Sequence, residues 1–138
     1  MTTTQTRTQG QTSQTGQMWV LYVICAGLLV ASGAIHFHLW ELAYRHVKTL
    51  NVLFLVQAIG TVLAALVLLV TRHFLIAVGS ALLMAGTIVC FLLAKTVGIF
   101  GFKLPYITTE AWIVLVIEAV AVVLLSITAW LSLKQRSS

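Results

Sequence analysis

The sequence predicts an all-α polytopic membrane protein, an antiparallel bundle of four transmembrane helices, and three observations carry that prediction. Hydrophobic residues make up 60% of the 138-residue chain and charged residues 8%, with a mean hydropathy of +1.05, far from the composition of a water-soluble domain. Four apolar runs, at about 18–40, 50–70, 74–97 and 108–133, approach or exceed the roughly 20 helical residues that cross a hydrocarbon core of about 30 Å. The runs lack the alternating pattern of barrel strands, and a helix satisfies its own backbone in lipid.

Residues 2–17 are almost wholly Thr, Gln, Ser and Gly, with Arg7 as the only charge. With nothing apolar to bury, residues 1–17 are expected to form a disordered polar tail. The tail lacks the basic-then-apolar layout of a signal peptide, so the first span is expected to be retained. That span continues into residues 41–48, with Trp40 and Tyr44 suited to the membrane interface, and a bent or protruding helix end is expected before a turn near Thr49. Only Thr71-Arg72-His73 separates the second and third spans, which forces a helical hairpin. Residues 97–106 hold two glycines, two phenylalanines and the single proline, Pro105, and read as an interfacial loop or short re-entrant segment. Thr108 or Thr109 is placed to cap the fourth helix, with Glu110 in its first turn. Residues 134–138 make a basic C-terminal tail, and no segment is long enough to build a second core.

The net charge of +5 and pI near 9.7 come from scattered Lys and Arg rather than a basic surface patch. They suit the flanks of spans beside anionic lipid and exclude nucleic acid as a partner. The even number of spans puts both termini on one side, with Arg7, Arg72, Lys134 and Arg136; Arg45, Lys48 and Lys103 lie opposite, with Lys95 near that boundary. The compact basic C-terminus assigns the termini to the cytoplasmic side of a cell membrane. Cys25 and Cys90 sit inside spans without a Cys-x-x-Cys motif, so no disulfide is expected. Small residues at Gly27 with Ala31, Gly60 with Ala64, Gly79 with Gly86, and Gly86 with Cys90 are expected to let helices approach closely.

Glu118 is the most informative single residue, because it lies midway along an otherwise uncharged span. An ionised carboxylate there costs at least roughly 2.5–3.5 kcal/mol, so it must be paired, protonated, wetted or turned toward protein. Measured along the helices from the terminal side, at 1.5 Å per residue, His36 lies roughly 27 Å, Gln57 about 22 Å and Glu118 about 24 Å deep. These three share a layer. Glu41 and Lys95, both at roughly 34 Å, and His38, near 30 Å, form a second layer toward the opposite surface. His38, Glu41 and Arg45 follow an i, i+3, i+7 pattern and share a helix face, whereas His36 and His38 stand about 200° apart on an intact helix. The ligand or ion candidates are therefore Glu118, His36, His38, Gln57, Glu41 and Lys95. A metal would draw on His38, Glu41 and Glu118, a nitrogen and oxygen set suited to zinc or iron. The bland alternatives are interfacial histidines, a surface Glu41–Arg45 pair, a snorkelling Lys95 and a structural bridge at Gln57.

The segments Ile35-His-Phe-His-Leu-Trp-Glu-Leu-Ala-Tyr-Arg-His46, Asn51-Val-Leu-Phe-Leu-Val-Gln-Ala58 and Val97-Gly-Ile-Phe-Gly-Phe102, followed by a Glu-containing span, resemble uncharacterised small four-span membrane proteins of actinobacterial type. The resemblance covers the spans and not the tail. It implies a compact bacterial membrane protein with its polar side chains near one end.

Ser32, Ser80 and Ser126 lack a nucleophile-elbow or triad context and no phosphate-binding loop is present, so the chain does not read as a nucleophilic enzyme. His73 lies at the opposite face from His36 and His38, which argues against haem held between two histidines of one chain. No cofactor is required by the sequence. Three functional readings stand: a module, assembled as a homo-oligomer, that binds or conducts a proton, ion or small ligand at Glu118; an accessory subunit of a larger membrane complex, respiratory among the options; and a membrane metal-dependent oxidoreductase.

Overall fold

The computed structural model describes residues 3–99, 101, 103, 104 and 107–137, with side chains from Thr15 onward except Ala43. Four helices account for most of them: α1 (Thr3–Leu39), α2 (Leu50–Thr71), α3 (Phe74–Thr96) and α4 (Thr109–Arg136), with one π-helical turn at Trp40–Tyr44 following α1. All four are long and apolar enough to cross a membrane, the candidate spans being Thr15–Leu42, Leu50–Thr71, Phe74–Thr96 and Thr109–Arg136. They pack as the expected bundle. α1 lies between α2 and α4, α3 lies against α4, and α2 touches α3 least among these neighbours.

The helix α1 begins at Thr3, inside the polar stretch whose composition suggests disorder. Once a packed span has met the cost of nucleation, each added residue gains a hydrogen bond, so Thr and Gln can extend the helix outward. At the other terminus α4 continues through Arg136, so the basic residues belong to its last turn, where cations favour the helix dipole. The roles read for Phe100, Phe102, Pro105 and Tyr106 lie outside the described residues.

The register of α1 and α4 explains their seam. The buried positions that face the α1–α4 seam include Met18, Tyr22, Cys25, Leu29, Ser32 and His36 on α1 and Ala111, Val114, Glu118, Ala121, Leu125, Thr128 and Ser132 on α4, with Ala26, Gly33 and Ala129 buried beside them. Steps alternating between three and four residues make one narrow stripe on each helix, the geometry of knobs-into-holes packing. Outward positions carry Val56, Leu63, Leu66 and Val70 on α2 and Val116, Val120 and Val123 on α4, all exposed, a surface suited to lipid rather than water. Trp19 and Trp130 mark one end and Trp112 the other, each about half exposed, as interfacial aromatics do.

The turn between α2 and α3 is built as a cap. Arg72 takes the left-handed conformation (φ 48°) and donates its N–H to the Leu68 carbonyl at 2.8 Å, while the His73 ring accepts from Leu75 N–H. Tyr22 Oη donates to the Arg72 carbonyl at 2.8 Å and lies 3.2 Å from Ser132 Oγ, tying the hairpin tip to α1 and α4. The main apolar cluster, including Leu29, Leu68, Met84 and Leu125, fills the half of the bundle on this side.

The expected close approaches at glycine are relocated. A Cβ on Gly27, Gly79 or Gly86 would meet nothing within 4 Å, and on Gly60 only Leu83 Cδ2 at 3.9 Å. The tight contact is Gly33, where a Cβ would sit 2.5 Å from Thr61 Oγ1 and 3.0 Å from the Ala58 carbonyl. Gly27 falls outside the buried stripe of α1, whereas Gly33 lies beside Ser32 on the flank that meets α2.

Candidate functional site

The half of the bundle away from the termini is hollow. A cavity of about 380 Å³ lies there, lined by all four helices and by Tyr44, Ile99 and Leu104 of the connections. Its walls are mostly apolar: Leu53 and Phe54 on α2, Leu83 and Phe91 on α3, Val114 and Leu115 on α4. Small side chains at Gly86 and Ala94 on α3 and Ala111 on α4 leave the space open, and it lies along the thin α2–α3 seam.

The first connection shapes the roof. Continuing α1 as a π-helical turn shifts the phase of the chain after Leu39, so that the Tyr44 ring stacks on Phe54 (centroids 4.5 Å apart, planes 14° apart). Trp40 Nε1 donates to Asn51 Oδ1 and fastens the same turn to α2. Phe54 in turn lies 5.5 Å, centroid to centroid, from the His36 ring. At the opposite wall Thr108 caps α4, its side chain accepting from Ala111 N–H at 3.3 Å, as the sequence anticipates.

Three polar side chains form the floor. Glu118 is 1% exposed, His36 5% and Gln57 9%. Gln57 stands about 10 Å along α2 from Leu50, and Glu118 about 14 Å along α4 from Thr109, so the floor is well below the helix ends. His36 Nε2 lies 3.5 Å from Glu118 Oε1, and Ser32 Oγ donates to the same oxygen at 3.4 Å. Both distances exceed the usual 2.7–3.2 Å, so these are loose polar contacts rather than tight hydrogen bonds.

The backbone decides the histidine's tautomer. His36 Nδ1 is 2.8 Å from the Ser32 carbonyl, and a carbonyl only accepts, so Nδ1 carries a hydrogen. Nε2 is then the atom facing Glu118. Two lone pairs would repel there, and one proton held by either partner turns the contact attractive. With Nδ1 committed to the carbonyl, the geometry has room for one proton between Nε2 and Oε1.

Gln57 Nε2 is buried and has no hydrogen-bond partner. Burying an amide donor unpaired costs about 1–3 kcal/mol, and the residue that carries this one lines the cavity. The Gln57 backbone is more settled, since its carbonyl accepts from Thr61 Oγ1 at 2.9 Å.

Of the six candidates, the structure gathers Glu118, His36 and Gln57 and leaves the other three apart. His38 and Glu41 are exposed, and Lys95 sits half-buried in the last turn of α3, off the cavity wall. The metal set of His38, Glu41 and Glu118 is therefore not assembled. Among the described residues no group of three or more His, Cys, Asp or Glu side chains is placed to hold a metal ion. The reason is angular: the α1 face that meets α4 carries Ser32 and His36, and His38 points well away from it.

Ser32 is the site residue that a search for nucleophile motifs passes over. Its signal is the heptad spacing with Tyr22, Cys25, Leu29 and His36, which places it opposite Glu118. Neither a protein-family model nor a curated protein nor a solved structure matches the chain.

Proposed function

We propose that this chain is a membrane-embedded binding protein whose small ligand occupies the α2–α3 cavity and contacts the polar floor of Glu118, His36 and Gln57. The observation that carries the reading is a cavity of about 380 Å³ with three buried polar groups at one end of an apolar space. Small-molecule sites have this form, a largely apolar pocket of about 300–1,000 Å³ with a few converging polar groups. The proton between His36 and Glu118 gives the site a means of linking occupancy to proton uptake, since a ligand that favours one protonation state shifts the other.

The setting we propose is the lipid bilayer of a bacterial cell membrane, with both termini cytoplasmic. The orientation rests on the compact basic end of α4, where Lys134 and Arg136 close the last span, since Lys and Arg next to span ends favour the cytoplasmic side. The cavity then faces the outer half of the membrane. Native mass spectrometry of the protein released from lipid nanodiscs tests the binding reading. A small-molecule adduct is expected on the wild-type chain and its loss on Leu83→Trp, which fills the cavity. An adduct equally abundant on both proteins refutes it.

A second reading, a subunit that docks with copies of itself or with a larger complex, is favoured by the open space outside Gly27 and Gly79. Small residues on lipid-facing helices admit another helix. Copurification of a stoichiometric second chain, or a discrete homo-oligomer, supports it; a monomer that retains the adduct does not.

A further inference from the structure

Resting on the binding role proposed above, we infer that the ligand is a neutral, apolar molecule bearing a carbonyl oxygen, inserted with that oxygen toward Gln57. The unpaired Gln57 Nε2 fixes the complementary atom, because it is a buried donor on a residue that lines the cavity and lacks only an acceptor. A carbonyl supplies one without adding charge. An anion would have to give up its hydration for mostly apolar walls, and the His36–Glu118 pair, holding one proton between them, offers it no net positive charge in return.

A cation is disfavoured for a different reason. Glu118 Oε1 is already faced by His36 Nε2 at 3.5 Å and by the Ser32 hydroxyl at 3.4 Å, and the proton shared with His36 cancels one unit of charge there. A cation would have to displace that proton and would still leave the Gln57 donor unpaired. The apolar walls add a penalty for any strongly hydrated molecule, whose lost water contacts Leu53, Leu83 and Val114 do not replace.

The geometry also excludes an ordinary phospholipid inserted head first, since the polar floor lies about 10–14 Å below the helix ends and a phosphate headgroup belongs at the interface. A ring or short chain ending in a ketone suits both parts of the site. It reaches the cavity from lipid along the α2–α3 seam, where the helices touch least.

The test uses the whole protein in phosphatidylcholine nanodiscs with benzophenone as a photoreactive ketone probe. Illumination and peptide mapping are expected to place adducts on the cavity-lining parts of α2 and α3. Fluorenone is expected to compete better than fluorene, which has nearly the same shape and no oxygen. Gln57→Leu, and independently Gln57→Met, removes the donor and is expected to weaken fluorenone competition about three- to tenfold, the effect of one net hydrogen bond, leaving fluorene unchanged. Thermal unfolding of both variants at or above the wild-type midpoint, as removal of an unpaired buried donor predicts, assigns the change to recognition. Equal competition by fluorenone and fluorene, or an unchanged ratio in both Gln57 variants, overturns the carbonyl inference while leaving the binding role standing. Stronger competition by benzyltrimethylammonium overturns the neutrality of the ligand. Absence of cavity adducts on the wild type, or labelling that survives Leu83→Trp, removes the binding role and this inference together.

Discussion

Replacing His36 and Glu118 singly and together by leucine tests whether the pair acts as one unit. Glu118→Leu deprives His36 Nε2 of its facing oxygen and the Ser32 hydroxyl of its acceptor. Leaving such a buried group unsatisfied costs about 1–3 kcal/mol. His36→Leu leaves the carboxyl group of Glu118, 1% exposed, with only the 3.4 Å contact from Ser32. If the group stays ionised the cost reaches about 3–5 kcal/mol, the range for breaking a buried ion pair, and neutralisation by a proton lowers it. The double variant replaces both polar partners by apolar side chains and removes the mismatch, so its loss is expected to be smaller than the sum of the single losses by about 1–3 kcal/mol. Reversible unfolding of each protein in mixed micelles with increasing SDS gives the four free energies of the cycle. Losses that add to within about 0.5 kcal/mol would show independent sites, and the shared-proton account of the floor would fail.

Gly33→Ala is expected to destabilise the bundle by about 1–3 kcal/mol through overpacking, because its Cβ falls 2.5 Å from Thr61 Oγ1. Gly27→Ala has open space and is expected to be neutral or slightly stabilising, so equal effects in thermal unfolding would contradict the α1–α2 packing. A membrane-permeant maleimide is expected to modify Cys90, which is exposed at the cavity rim, and to spare Cys25, which is buried against Thr128; labelling of Cys25 in the intact protein contradicts the α1–α4 seam. Tyr22→Phe removes the hydroxyl that tethers Arg72 and is expected to cost about 0.5–1.5 kcal/mol. An unchanged unfolding midpoint would show that this tether adds nothing.

Much of the architecture is legible in the chain because lipid imposes a simple requirement on it. A run must be long, apolar and helical to cross, so the four spans and the three-residue hairpin at residues 71–73 follow from composition and length. The cap at Thr108 is legible too, since a short side-chain acceptor three residues before an orphan N–H has few other uses. The extent of α1 is not, because a polar composition tells against burial but does not forbid a helix from growing out of a packed span.

The sequence by itself determines how deep each polar side chain lies, because rise per residue is a property of one helix, and this alone assigns His36, Gln57 and Glu118 to one layer. Which of them meet depends on the rotation of each helix about its axis and the distance between axes, and those are settled only when stripes from different helices pack. Tertiary structure therefore turns Ser32 and His36 toward Glu118 and His38 away. It moves the close helix approach to Gly33 and leaves space beside Gln57 where α2 and α3 part. Glu118 is an anomaly in the sequence; the packing of four helices gives it His36 and Ser32 as neighbours and a cavity to border.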